Sequence, residues 1–280
     1  MKKRIITSAL VSKLRTYLIE SEKSSATLSK YMRDILNFTK FVSDKAIDKA
    51  LLLEYKAVLE KKYSVRSVNS MIASLNSFLC FAEWADLKVK QLRIQKDAYC
   101  SDDKELSKKD YEALINAAKR KRNERLALVI QTICATGIRV SELEYITVEA
   151  VKRGEAIVSC KGKIRKIFIV SNLRKKLLKY ASNQGRDTGF VFVTKTGKPL
   201  NRSNIWREMK NLSKDAGVLP NKVFPHNLRH LFARTFYSLE KDIAKLADIL
   251  GHSNINTTRI YIMSTGAEHQ RRMENMRLII

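Results

Sequence analysis

Two short stretches hold most of the residues able to do acid, base or nucleophilic chemistry. One is Pro225-His226-Asn227-Leu228-Arg229-His230; the other runs from Leu250-Gly251-His252 to Thr257-Thr258-Arg259-Ile260-Tyr261. Three of the chain's four histidines fall in them. Pro225 suits the first position of a helix, and a helix opening there puts His226, Arg229 and His230 at i, i+3 and i+4 on one face. That N-terminal end offers free backbone donors and positive partial charge, which favour an anion. In the second stretch Gly251 ends a helix, His252 follows, and Tyr261 closes a short helix, Asn254–Tyr261. Arginine forks suit the non-bridging oxygens of a phosphate. A tyrosine hydroxyl, with a pKa of about 10, becomes a nucleophile when cations favour its phenolate or a histidine takes its proton. The chemistry on offer is attack by the Tyr261 oxygen on a phosphate diester.

Upstream, two further pieces fit that chemistry. Gly137 closes a helix, and Arg139 follows at a junction from which a guanidinium can enter a cleft. Lys161-Gly162-Lys163 makes a basic turn. Each residue also has a plainer reading. Arg139 could simply pair with Glu142, His230 could be a packing residue, and Tyr261 is one of ten tyrosines. The His226/His230 spacing is also that of zinc-binding helices, but Arg229 lies between them and the catalytic glutamate of such helices is missing. The serine-hydrolase elbow and the phosphate-binding Walker loop are absent. No metal and no cofactor is expected.

The elements that must position these residues read as mainly α. Of 280 residues, 45% are hydrophobic, with only three prolines and nine glycines, too little turn punctuation for a strand-rich fold. The length suits two domains. Residues 8–85 read as four amphipathic helices, about 8–23, 27–43, 47–62 and 65–82, the last with Val65, Val68, Ile72, Leu75 and Leu79 on one face and Arg66, Asn69, Ser70, Asn76 and Ser77 opposite. That polar face suits DNA contact or plain solvation equally. From Leu87 to Leu106 the pattern dissolves into basic, extended sequence, an expected linker. Ser107 to Asp110 has capping-box spacing and opens a helix to about Lys119; another follows from Asn123 to about Ala135. Residues 155–170 read as a small hairpin lying on the helical core. Helices at about 171–182 and 203–216, a strand at Phe190–Val193 and a helix from Asp242 to Leu250 complete the body, and Glu268–Arg277 looks helical. The expected domains are 1–86, a linker 87–106, and 107–280.

Net charge is +26, from 54 basic and 28 acidic residues, far beyond what solubility requires; nucleic acid is the expected partner. Cys80, Cys100, Cys134 and Cys160 are dispersed with no C-x-x-C pair, as in reduced intracellular proteins. No run approaches the apolar length of a membrane span. A soluble, cytoplasmic protein with no membrane partner is expected.

Taken in order, Ala135-Thr136-Gly137-Ile138-Arg139-Val140-Ser141-Glu142-Leu143, Lys161-Gly162, His226-Asn227-Leu228-Arg229-His230, Leu250-Gly251-His252 and Thr257-Thr258-Arg259-Ile260-Tyr261 resemble the tyrosine recombinase (lambda-integrase-like) family, its short Xer-type members above all. The resemblance covers about residues 107–263, and less specifically the N-terminal helices, which are similar to that family's core-DNA-binding domain. It implies an N-terminal helical domain and a C-terminal catalytic domain forming a clamp on DNA. It implies that Arg139 and Arg229 hold the scissile phosphate and His252 hydrogen-bonds it. Lys161, or less favourably Lys163, protonates the leaving 5′-oxygen. His226 assists as acid and base, and Tyr261 forms a 3′-phosphotyrosyl link that a partner 5′-hydroxyl resolves, so neither ATP nor metal is needed. Glu142 orients its neighbours. The activity implied is site-specific recombination, in DNA integration and excision or dimer resolution. Type IB topoisomerase-like relaxation and a non-cleaving DNA-binding regulator are the alternatives. The apolar end, Met273 and Met276 ahead of Leu278-Ile279-Ile280, calls for burial, either on its own domain or, as the resemblance implies, by docking into a neighbouring protomer, giving a tetramer on two duplexes.

Overall fold

The structure, a computed structural model, describes residues 4–43, 45–94, 105–160, 163–262 and 266–276, apart from the side chains of 160, 163, 262, 266–269 and 272. The chain divides into two compact units, Met1–Lys96 and Asp97–Ile280.

The first unit is built of α1 (Ser8–Glu20), α2 (Ser25–Val42), α3 (Lys49–Lys62) and α4 (Val65–Phe81). Thr7, Ser24, Asp48 and Ser64 each cap a helix by accepting a backbone N–H three residues on, satisfying a donor the helix cannot use. Leu14, Leu18, Ile35, Phe38, Leu52, Val68, Ile72, Phe78 and Leu79 form its core. The period of three and four holds for α4, whereas Val65, Leu36 and Tyr17 at the edges of apolar stripes are exposed.

The polar face of α4 has a further use. The Asn76 side chain both donates to the Val89 carbonyl, at 2.8 Å, and accepts from the Val89 N–H, at 2.9 Å. Asn69 does the same with Leu92. Lys49 donates to the carbonyls of Leu87 and Lys88, and Lys56 to that of Lys90. Residues 87–92, which sequence pattern alone leaves as a basic linker, are thereby laid along the first unit, with Val89 buried. An extended strand of chain has no internal partners for its backbone, and side-chain amides, each with a donor and an acceptor, supply them.

The second unit is organised around α6 (Glu124–Thr136), whose Leu126, Val129, Ile130 and Ile133 are all buried. Packed on it are α5 (Lys108–Arg120), α8 (Ser171–Asn183), α9 (Arg202–Ala216) and α10 (Pro225–Glu240). Ser107 and Asp110 form the expected capping box of α5. After Gly137 the chain makes a 3-10 turn, Val140–Tyr145. A short helix absent from the pattern reading, α7 (Val148–Arg153), follows, capped by Thr147 and ended by Gly154. β1 (Glu155–Cys160) and β2 (Lys163–Phe168) pair antiparallel, Val158 facing Arg165 and Ala156 facing Ile167. The hairpin's inner face lies on the core; its outer face leaves Ile157, Ile164 and Phe168 exposed, more apolar surface than its sequence suggests. Phe190–Val193 is not a strand: it makes only isolated bridges, Thr147 to Phe190 and Val193 to Pro199. The chain continues through α11 (Ile243–Leu250), α12 (Ile255–Ile262) and α13 (Gly266–Asn275). Among the described residues no helix is long and apolar enough to cross a membrane.

Candidate active site

Four elements of the second unit meet at one pocket. The turn after α6 brings Arg139, β2 brings Arg165, α10 brings His226, Arg229 and His230, and the α11–α12 segment brings His252 and Tyr261.

Gly137 makes the first turn possible. Its φ is +64°, and a Cβ there would lie 2.5 Å from Cδ1 of Phe232, so both conformation and space demand glycine. Arg139 then caps the 3-10 turn and is tied twice to Glu142: its backbone N–H donates to Oε2 and its Nη1 to Oε1, each at 2.8 Å. The Arg139–Glu142 pair therefore exists, but it does not close the guanidinium off, since the arginine side chain stays 35% exposed while that of Glu142 is 2% exposed. The second Glu142 oxygen also accepts from Arg165 Nη2 at 2.7 Å. One buried carboxylate thus holds two arginines.

Arg229 is 1% exposed. Its Nη1 donates to the Gly137 carbonyl at 2.5 Å, and its Nη2 to the Leu250 carbonyl at 2.7 Å and to His252 Nε2 at 2.9 Å. Its buried Nε has no partner among the described residues, a cost that an acceptor entering from outside would remove. Loss of water, then repulsion by Arg139, lowers the guanidinium to about 10, so it stays charged at neutral pH. The Leu250 carbonyl accepts a second arginine, Arg165 Nη1, at 2.9 Å. Gly251 (φ +65°) follows, and a Cβ there would lie 2.6 Å from that Nη1.

Tyr261 is 6% exposed and belongs to a small core with Ala233, Leu246 and Leu250, packed by Phe232, Phe236 and Tyr237. Three imidazoles surround its ring: His230 at 4.2 Å between centroids, His252 at 5.2 Å and His226 at 5.4 Å. Its hydroxyl is 3.3 Å from His226 Nε2. Desolvation first, and then cationic neighbours, pull both His226 and His252 down to about 4; for His226 the neighbours are His230, Arg229, Arg202 and Arg139. Both rings are neutral at pH 7. His226 can then take a proton from Tyr261, which a charged ring cannot. His230 points elsewhere, its Nδ1 lying 3.7 Å from Glu105 Oε1; His230, and after it Arg234, hold the Glu105 carboxyl below its usual range.

Arg139, His226, Arg229, His252 and Tyr261 are thus brought together. Lys161 lies outside the described residues. Two residues of the pocket went unread in the sequence, Arg165 and Thr258, the latter 2.9 Å from His252 Nδ1. Arg165 had a signal: strand alternation puts it on the inner face with Ile167 and Ile169, where an arginine is out of place unless it meets a buried acid. Among the described residues no group of His, Cys, Asp and Glu is placed to hold a metal.

Residues 104–268 match the phage integrase family, and residues 12–86 match the phage integrase N-terminal SAM-like domain. The chain belongs to the phage integrase family. All the residues of the pocket lie within the matched catalytic span. Among curated relatives, the tyrosine recombinase XerA of Pyrococcus furiosus is 28% identical, over 100% of this chain and 98% of its own length. The tyrosine recombinase XerH of Campylobacter jejuni is 31% identical, over 90% of this chain and 77% of its own. Among solved structures, a lambda integrase tetramer bound to a Holliday junction is similar with a TM-score of 0.75 and 17% identity, over 93% of this chain and 78% of that one. That likeness is one of integrase fold.

Proposed function

We propose that this chain is a site-specific DNA recombinase that cuts and rejoins duplex DNA through a tyrosine ester. The observation that carries the reading is the Tyr261 hydroxyl 3.3 Å from a neutral His226, beside the guanidinium of Arg229. In this reading Arg139 and Arg229 bind the non-bridging oxygens of the scissile phosphate and neutralise charge that grows at the pentavalent transition state. His252 adds a hydrogen bond. Tyr261 Oη gives its proton to His226 Nε2 and attacks phosphorus; the P–O5′ bond breaks, and Lys161 gives the departing oxygen its proton. The phosphodiester energy stays in the 3′-phosphotyrosyl bond, which a 5′-hydroxyl from a partner strand attacks in the reverse sense. Glu142 and Arg165 keep the two binding arginines in place.

The domain reading belongs to the same proposal: a helical DNA-binding unit, a short basic connection and the catalytic unit, together gripping the duplex. So does assembly of four protomers on two duplexes, for which a lambda integrase tetramer bound to a Holliday junction is the parallel, and a cytoplasmic location. The test is a nicked suicide duplex selected for binding from a random library. The wild-type chain should give a covalent protein–DNA adduct resistant to denaturation, and Tyr261→Phe should give none while still binding. No adduct from the wild-type chain on a tightly bound duplex would sink the reading.

A further inference from the structure

Thr258 lies on α12, three residues before Tyr261 and on the same face of the helix. It is fully buried, at 0% exposure. Its Oγ1 is 2.9 Å from His252 Nδ1, and on the far side of the ring Arg229 Nη2 is 2.9 Å from Nε2. A guanidinium carries donors only, so Nε2 must accept. The proton of the neutral ring is then on Nδ1, and Nδ1–H donates to the threonine oxygen.

We propose that Thr258 is a positioning residue for DNA cleavage: by holding Nδ1–H of His252 it aims Nε2 at the phosphate site and ties that imidazole to the helix carrying the nucleophile. The proposal rests on the recombinase reading and deepens it. In the free chain Nε2 is engaged by Arg229. When a phosphate draws Arg229 Nη2 to one of its own oxygens, Nε2 is released at the same place, takes a proton from solvent, and donates it as a hydrogen bond to the anion. Nδ1–H stays on Thr258 throughout, so the ring neither flips nor swings. The groups facing His252 during this exchange are Arg229 and His226 from α10, Arg139 from the turn after α6, Arg165 from β2 and Tyr261 from α12. All but the tyrosine and the histidine are cations, so the anion alone can make that protonation favourable. Because Thr258 and Tyr261 share a helix face, any displacement of α12 that withdraws the nucleophile also withdraws the oxygen that aims His252. Phosphate binding and nucleophile placement are in this way one event.

The experiment uses the full chain. With histidine labelled with nitrogen-15, the wild-type protein should show a ring Nδ1–H proton protected from exchange, assigned by its loss in His252→Asn. Thr258→Val keeps shape and removes the acceptor; Thr258→Ser keeps the acceptor. The valine variant should lose the protected proton and form the suicide-duplex adduct about tenfold more slowly, the order expected for one lost hydrogen bond, with duplex affinity within about twofold. The serine variant should recover both. A protected proton unchanged in Thr258→Val, adduct formation at the wild-type rate, or failure of serine to recover it would each overturn the proposal. The proton signal needs no DNA, so an absent wild-type adduct counts against the recombinase reading separately.

Discussion

Glu142 is the counter-charge on which the arginine pocket rests. Arg139, Arg165 and Arg229 crowd the same few ångströms, and Glu142 pairs with the first two at 2.8 and 2.7 Å. Replacing it as Glu142→Gln should cost about 2–4 kcal/mol, because breaking a buried pair leaves its partners uncompensated. Sulfate should restore part of that loss by entering the proposed phosphate site. Chemical denaturation with and without sulfate reads both effects, and a variant as stable as the wild type would refute the role. The histidines make a second prediction at this scale. His226 and His252 have folded values of about 4 against an ordinary 6.5, so the unfolded chain binds protons that the fold excludes. Stability from this source is complete above pH 6.5 and is lost progressively as pH falls towards 4. Denaturation midpoints measured between pH 7.5 and 4.5 should fall with pH, and fall less in a chain carrying His226→Gln and His252→Gln; identical slopes would rule the histidines out. These polar residues were legible in sequence because their types are rare and their spacing is tight. Thr258 was not, since its importance lies in a partner, His252, that only the folded chain brings near; Arg165 carried only the signal of strand alternation, which does not name its partner Glu142.

Gly251 shows how one backbone position governs several elements. It ends α11, turns the chain into His252 and leaves room for the Arg165 side chain that binds the Leu250 carbonyl. Gly251→Ala should cost about 2 kcal/mol, part from the left-handed φ and part from the contact at 2.6 Å with Arg165. Gly197→Ala separates the parts, because Gly197 has φ +77° with nothing within 4 Å of its Cβ position. Only the Gly251 variant should also slow adduct formation; equal effects on stability and rate in both would argue against the Arg165 contact. Helix ends of this kind explain how much of the architecture could be read in advance. Capping residues and apolar periods mark α1 to α6 and α8 to α12 within a few residues, because those signals are local. α7 escaped although Thr147 and Gly154 bracket it, since six residues are too few to show a period. Phe190–Val193 has strand composition, yet composition cannot supply the neighbouring strand that makes a sheet. The fate of residues 87–92 depended on Asn69 and Asn76, polar residues whose helix face looks the same whether it meets water, DNA or another stretch of chain.

At the scale of the whole molecule, a charge of +26 means that folding works against self-repulsion which a polyanion would relieve. Duplex affinity should therefore fall steeply with salt, by about ten-thousandfold between 50 and 200 mM if some eight phosphates are contacted. Assembly should behave otherwise, since apolar contact is little screened. Met273 of α13 and Met276 just after it are exposed, and no described side chain of that helix joins a buried core. A segment whose described side chains, at 270, 271 and 273–276, join no buried core should be removable without unfolding its unit. Deleting residues 267–280 should leave the denaturation midpoint and the affinity of a single protomer for a half-site within about twofold, while the steep, cooperative filling of a full site becomes shallow. Gel-shift titration on half-sites and full sites separates these quantities. Adduct formation on the half-site should persist in the truncated chain, because every residue proposed to meet the phosphate precedes residue 262. Cooperative filling unchanged by the deletion would remove the tail from the assembly and require another surface to join the protomers.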